Sequence, residues 1–190
     1  MKKLLNRLFY LKSGMPFYKR LFAYFIDWYI ISVLTILPIN LIYGMTFQQK
    51  TFESTLSKLP LVPATIAFLF GLILSFFYLI YYPYKHDGQT LGKKLMSIKI
   101  EKMNGENLDL KTLIIRNGVG IFFIEGTLYT CSIYFWELVN IICQTPISST
   151  ALNILSIVTF ISLFMNLFSP QRIMLHDFIS KTHVVHAKKS

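Results

Sequence analysis

Acidic residues are scarce in this 190-residue chain: 9 Asp and Glu stand against 19 Lys and Arg, for a formal charge of +10. Cysteine is scarcer still. Only Cys131 and Cys143 occur, too few for a disulfide-stapled scaffold. Both fall in one apolar stretch, where an intervening helix would hold them about 18 Å apart, beyond the roughly 7 Å that a disulfide tolerates. The sequence also lacks H-E-x-x-H, C-x-x-C, a P-loop and G-x-S-x-G, so no motif for zinc, phosphate or acyl-transfer chemistry is present. His183 and His186 stand three apart on an extended stretch and would point to opposite faces, a poor metal pair. We therefore expect no enzyme, no metal and no cofactor. The basic excess comes without a recognisable nucleic-acid-binding module, so nucleic acid is not an expected partner.

What the chain does have is long stretches without charge. A bilayer core about 30 Å thick takes roughly 20 apolar helical residues to cross. Leu61–Tyr82 and Ile147–Phe168 each run 22 residues uncharged, and Leu21–Tyr43 runs 23 residues with Asp27 as its one charge. Asn117–Ile142 qualifies with Glu125 and Glu137 inside it. These spans predict an all-α membrane protein, a single domain over 1–190, with four transmembrane helices at 21–43, 61–82, 117–142 and 147–168.

The basic residues are sided. Six precede the first span, seven lie in the loop 83–116, four follow the fourth span, and only Lys50 and Lys58 lie elsewhere. By the positive-inside rule both termini and the loop 83–116 are cytoplasmic in the cell membrane, against anionic lipid headgroups. The first apolar run starts too late and is too long for a cleavable signal. Residues 3–12, with Leu4, Leu5, Leu8 and Phe9 roughly opposite Lys3 and Arg7, suit a short interfacial helix.

Within the loop, Leu95 to Lys102 alternates apolar and polar residues, and Asn104-Gly105 is a hairpin-turn dipeptide followed by a second alternating arm, Asn107 to Leu110. A cytoplasmic β-hairpin is expected, with Thr182–His186 adding a further strand. Arg172–Ile179 reads as a short amphipathic helix with Leu175, Phe178 and Ile179 toward the membrane.

Charges inside spans cost on the order of 2.5–3.5 kcal/mol at the centre, and are retained when paired or functional. Asp27 shares a helical stripe with Arg20 but lies about 10 Å further along the axis. The expected network pairs Asp27 with Arg116 and Arg20 with Asp177. Glu125, roughly 13 Å into its span, is the candidate proton- or cation-binding carboxylate together with Asp27. Its bland alternatives are protonation or a hydrogen bond to Asn153 or Ser156. Glu137, beside Trp136, is expected at the outer surface.

Three segments carry a family resemblance. Phe17-Tyr-Lys-Arg20-Leu-Phe-Ala23-Tyr-Phe-Ile-Asp27 resembles the opening of the RDD membrane proteins, named for one arginine and two aspartates. The loop stretch Gly88-Gln-Thr90-Leu91-Gly92-Lys93-Lys resembles that family's loop motif, and Arg116 sits where the family often carries an arginine. Arg172-Ile-Met-Leu-His176-Asp177, with Thr182-His-Val-Val, resembles its closing motif and tail. Glu125 falls in none of these. The resemblance implies a multi-pass membrane protein and suggests transport of cations or a small solute, sodium/proton exchange among them, for which four spans would imply a homo-oligomer. The alternative is a non-catalytic module that binds or regulates another membrane protein.

Overall fold

The computed structural model describes residues 15–48, 51–145, 147–169 and 172–187; the expected interfacial helix over 3–12 lies outside them. The first helix, α1, runs Phe17–Phe47. Its buried positions Ala23, Asp27, Ile31, Thr35 and Ile39 recur every fourth residue, so one stripe faces inward. Helix α2, Leu61–Lys85, answers with small residues: Ala64, Ala67, Gly71 and Ser75 are buried. A Cβ at Gly71 would sit 3.3 Å from Thr35 Cα, so the two backbones approach closely, the usual means by which membrane helices gain contact. Near its end α2 widens into a π-turn at Phe77–Tyr81.

Among the described residues three helices are long and apolar enough to cross a membrane: α1, α2 and the later helix α6, Ile147–Phe168. Their outer faces are apolar and exposed, with Phe25, Tyr29, Ile66, Phe70, Phe160 and Phe164 each at least half uncovered. Water would not tolerate such a belt; lipid requires it.

The third apolar stretch departs from expectation, because it does not form one helix over 117–142. A short helix, α4 (Leu110–Leu113), leads into a π-helix at Ile114–Ile124, followed by a 3₁₀ turn at Gly126–Leu128 and a separate helix, α5 (Thr130–Cys143). Gly118, Gly120 and Gly126 weaken regular winding here. The loosened backbone is bonded again locally: Glu125 N–H donates to Gly120 O at 2.9 Å, and Ser132 Oγ donates to Phe122 O at 2.8 Å. Irregular backbone at membrane depth needs such replacement partners.

The basic end of the bundle carries a short helix, α3 (Leu91–Leu95), strand β1 (Ile98–Lys102), helix α7 (Leu175–Ile179) and strand β2 (Thr182–His186). The strands pair antiparallel with Ile100 opposite Val184, which bears out the added C-terminal strand. The expected hairpin does not form: Asn107 to Asp109 is not a strand, and the Asp109 side chain caps α4 by accepting from Thr112 N–H at 2.8 Å. An N-cap competes directly with strand pairing for this segment. The inner face of the sheet, Ile98, Ile100, Thr182 and Val184, is buried, with Ile98 and Val184 packed on Ala23 of α1. Helix α7 is shorter than the expected 172–179, and Phe178 on it is 65% exposed.

At the opposite end the segment 51–59 covers α5. Glu137 accepts from Leu56 N–H at 2.8 Å, so it is half-buried and bonded rather than simply solvated. Cys131 is buried, Cys143 is exposed, and both thiols are free.

Candidate functional site at the basic end of the bundle

Asp27 is 2% exposed, and its carboxylate organises the loop motif. Oδ1 accepts from Tyr78 Oη at 2.6 Å and from Gly92 N–H at 2.9 Å; Oδ2 accepts from Thr90 Oγ1 at 2.5 Å and lies 3.4 Å from Lys93 Nζ. Thr90 is also the N-cap of α3, accepting from Lys93 N–H at 3.3 Å. The motif is thus a helix start held on an acidic group, the end of a helix that favours negative charge. Gly92 must be glycine, because an added Cβ would collide with Ala23 O and stand 2.8 Å from Asp27 Oδ1. Gly88 has φ of +76° and passes against the Ile100 backbone, a conformation reserved for residues without Cβ. Leu91, the motif's apolar member, is 40% exposed.

Arg116 does not meet Asp27, contrary to the expected pair. Its Nη2 donates to Asp177 Oδ1 at 2.5 Å, Nε to Thr182 Oγ1 at 3.2 Å, and Nη1 to Asn117 Oδ1 at 3.3 Å. The reason is that Asp27 is already saturated by Tyr78 and the loop motif, whereas Asp177 presents a free oxygen to the third segment. The expected pair of Arg20 with Asp177 does form, through Arg20 Nη2 and Asp177 Oδ2. Arg20 also donates to the Arg172 carbonyl, and Met174 N–H donates to Asp177 Oδ2 at 3.2 Å. Asp177 therefore bridges α1 and the π-helix. Burial alone would raise its pKa, but Arg20, His176 and Arg116 outweigh it and hold the carboxyl well below the usual range.

Glu125 bonds neither Asn153 nor Ser156. Oε1 accepts from Ser162 Oγ at 2.6 Å and from His176 N–H at 3.0 Å, and Oε2 lies 2.8 Å from His176 Nδ1. The partner does come from α6, but one helical stretch nearer the basic end. His176 Nε2 is 3.4 Å from Asp177 Oδ1, so the imidazole stands between two carboxylates. Burial pulls its pKa down, but Glu125 and Asp177 overcome this and the net direction is upward. The His176 backbone fits because Gly120 leaves room; a Cβ there would be 2.6 Å from His176 Cβ.

These groups enclose a cavity of about 280 Å³, lined by Arg20, Asp27, Lys93, Arg116, Glu125 and His176 among others. Asn166 of α6 also lines it, is 1% exposed, and its Oδ1 has no hydrogen-bond partner among the described residues. Sequence reasoning missed Tyr78, Ser162, Asn166 and the role of His176. A signal existed for α6, where Thr159, Ser162 and Asn166 make a buried polar stripe on an otherwise apolar helix. Among the described residues no group of three or more His, Cys, Asp and Glu side chains is placed to hold a metal ion.

The segments that carry the sequence resemblance meet in this site and bring Arg20, Asp27, the loop motif and Asp177 to it, whereas Glu125, Ser162 and Asn166 come from outside them. The RDD family model matches residues 15–181, most of the chain. The chain belongs to the RDD family, and with its apolar helices it is a membrane protein. No curated protein and no solved structure matches it.

Proposed function

We propose that this protein crosses the cell membrane four times, with both termini cytoplasmic, and moves a cation or another small solute in a step linked to protonation of the Glu125–His176 pair. Support for the topology is the sided charge: 17 of 19 Lys and Arg fall, in the sequence, before the first span, between the second and third, or after the fourth. Support for a fourth crossing is that the π-helix contacts the basic end through His176, while α5 reaches the opposite end through Glu137 and Leu56. The observation that carries the transport reading is a buried carboxylate–imidazole pair, 2.8 Å apart, beside a cavity at a break in a membrane segment. Intramembrane ionisable groups and interrupted helices mark solute and proton paths in other membrane folds. Asp27 suits the role less well than Glu125, since four donors of the fold already surround it. A cavity in one chain is short for a pathway, so a homo-oligomer is part of the proposal.

The test is purified protein in liposomes, with a dye that reports collapse of an imposed pH gradient on addition of sodium or potassium. Wild type collapses the gradient, and Glu125→Gln that still folds does not. A wild-type protein without flux for any ion tried would instead favour the second reading, a non-catalytic module for another membrane protein. The saturation of Asp27 and Asp177 by donors of the chain itself supports that reading, because their charges then serve the fold.

A further inference from the structure

The cavity has two kinds of wall. Phe17, Leu21, Phe25, Leu163 and Met174 supply apolar lining, and the charged cluster supplies the polar part. Phe25 is both a cavity wall and 51% exposed on the outer face of α1. The rim therefore opens sideways, toward the bilayer, between α1 and α6. Arg20, at the first turns of a spanning helix, puts the polar floor near the level of the lipid headgroups.

The fixed charges of the floor cancel in number, and His176 sets the sign of any surplus. Arg20, Lys93 and Arg116 are balanced by Asp27, Asp177 and Glu125, and His176 adds one positive charge when protonated. The cations also hold donors in reserve. A guanidinium has five N–H groups and an ammonium three; Arg20 spends two on Arg172 and Asp177, and Lys93 spends two on Asp27 and Thr90 among the described residues. Asn166 Oδ1 is the complement: a buried acceptor with no donor among the described residues. An unpaired buried polar atom is costly, so it is kept where something else satisfies it.

We propose that the cavity is a binding site for one anionic phospholipid of the inner leaflet, entered sideways. The phosphate lies against Arg20 and Lys93, a headgroup hydroxyl donates to Asn166 Oδ1, and the upper acyl chain runs out between α1 and α6 past Phe25 and Leu163. The membrane supplies this ligand at the level where the cavity opens, and a zwitterionic choline lipid offers neither the net negative charge nor the hydroxyl. The inference goes beyond transport and does not rest on it: a non-transporting module would bind the same lipid.

The experiment is native mass spectrometry of the full chain, purified in detergent and delipidated, titrated with phosphatidylglycerol, phosphatidylcholine or inorganic phosphate, with thermal shift measured in parallel. The expected result is a single phosphatidylglycerol adduct at concentrations where phosphatidylcholine gives none, and stabilisation by phosphatidylglycerol but not by phosphate. Leu163→Trp, which fills the apolar wall, should remove the adduct. Asn166→Val should weaken it roughly tenfold, the effect of one lost hydrogen bond of the stronger kind, and it decides the matter if the tryptophan variant does not fold. Equal binding of both lipids, equal stabilisation by free phosphate, or an adduct undiminished in both variants would overturn the proposal. Absence of ion flux would leave it standing.

Discussion

Arg116 of the π-helix donates to Asp177 of the closing motif at 2.5 Å, and Arg20 of α1 takes that carboxylate's other oxygen. One aspartate therefore ties the first helix, the third segment and the C-terminal strand region together. Two arginines on one carboxylate, all nearly inaccessible, make a network in which removing the centre strands both cations. Asp27 performs a parallel task for the loop motif, without sharing a bonded partner with Arg116.

Gly92 is set against Asp27 so closely that no side chain fits. Gly92→Ala should destabilise the protein by about 1–3 kcal/mol, the range for overpacking a filled interior, and expose Lys93 as α3 lifts from α1. Thermal unfolding in detergent and labelling of Lys93 by an amine reagent would show both. A variant with unchanged stability would mean that the α3–α1 contact is looser than described.

His176 makes stability depend on pH. Its pKa is raised in the folded protein above the ordinary value of 6.5, so the folded state binds the extra proton more tightly than the unfolded chain. The contribution is then fully present below about pH 6.5 and is lost as pH rises through the folded value. Comparing wild type with His176→Gln cancels the contribution of Lys93, whose pKa burial moves the opposite way from an ordinary lysine gaining a partner. The wild-type advantage should shrink as pH rises above about 6.5. Asp177, held low, keeps its contribution until pH falls below the ordinary carboxylate range, so acid down to pH 5 should do little. A difference that is flat, or that grows with pH, would refute the assignment of His176 as the proton-binding partner of Glu125.

The sheet makes a prediction about individual amides. Met103 N–H donates to Lys181 O and Ala187 N–H to Ser97 O; the alternation of an antiparallel ladder then places the bonded pairs at Lys99 with Val185 and Glu101 with His183. Hydrogen exchange should find His183 and Val185 protected relative to Val184, whose N–H points away from β1. Uniform fast exchange over 182–186 would show that the two strands do not stay paired.

Much of this was written in the residue order. Uncharged stretches located the membrane helices because lipid admits no other composition, and the alternation of Met96, Ile98 and Ile100 located β1. The break in the third segment was not legible: Asn117–Ile142 is apolar enough to span, and three scattered glycines do not announce that the backbone will widen into a π-helix. The false hairpin came from reading Asn107 to Leu110 by alternation, when Asp109 three residues before Thr112 is equally an N-cap signal. The Asp27–Arg116 pair failed for a different reason. Charge alone suggested it, but neutral donors from Tyr78, Thr90 and the Gly92 backbone were enough to satisfy Asp27, and nothing in a one-dimensional reading ranks a hydroxyl above a guanidinium.

The most direct test of this arrangement is a pair of double-mutant cycles on unfolding free energy in mild detergent, one for Arg116→Gln with Asp177→Asn and one for Arg116→Gln with Asp27→Asn. Each single change at Arg116 or Asp177 should cost about 3–5 kcal/mol, as for a broken buried ion pair. The first cycle should show coupling above about 1 kcal/mol, and the second should be additive within about 0.5 kcal/mol. Additivity in the first cycle with coupling in the second would return Arg116 to Asp27 and contradict the account.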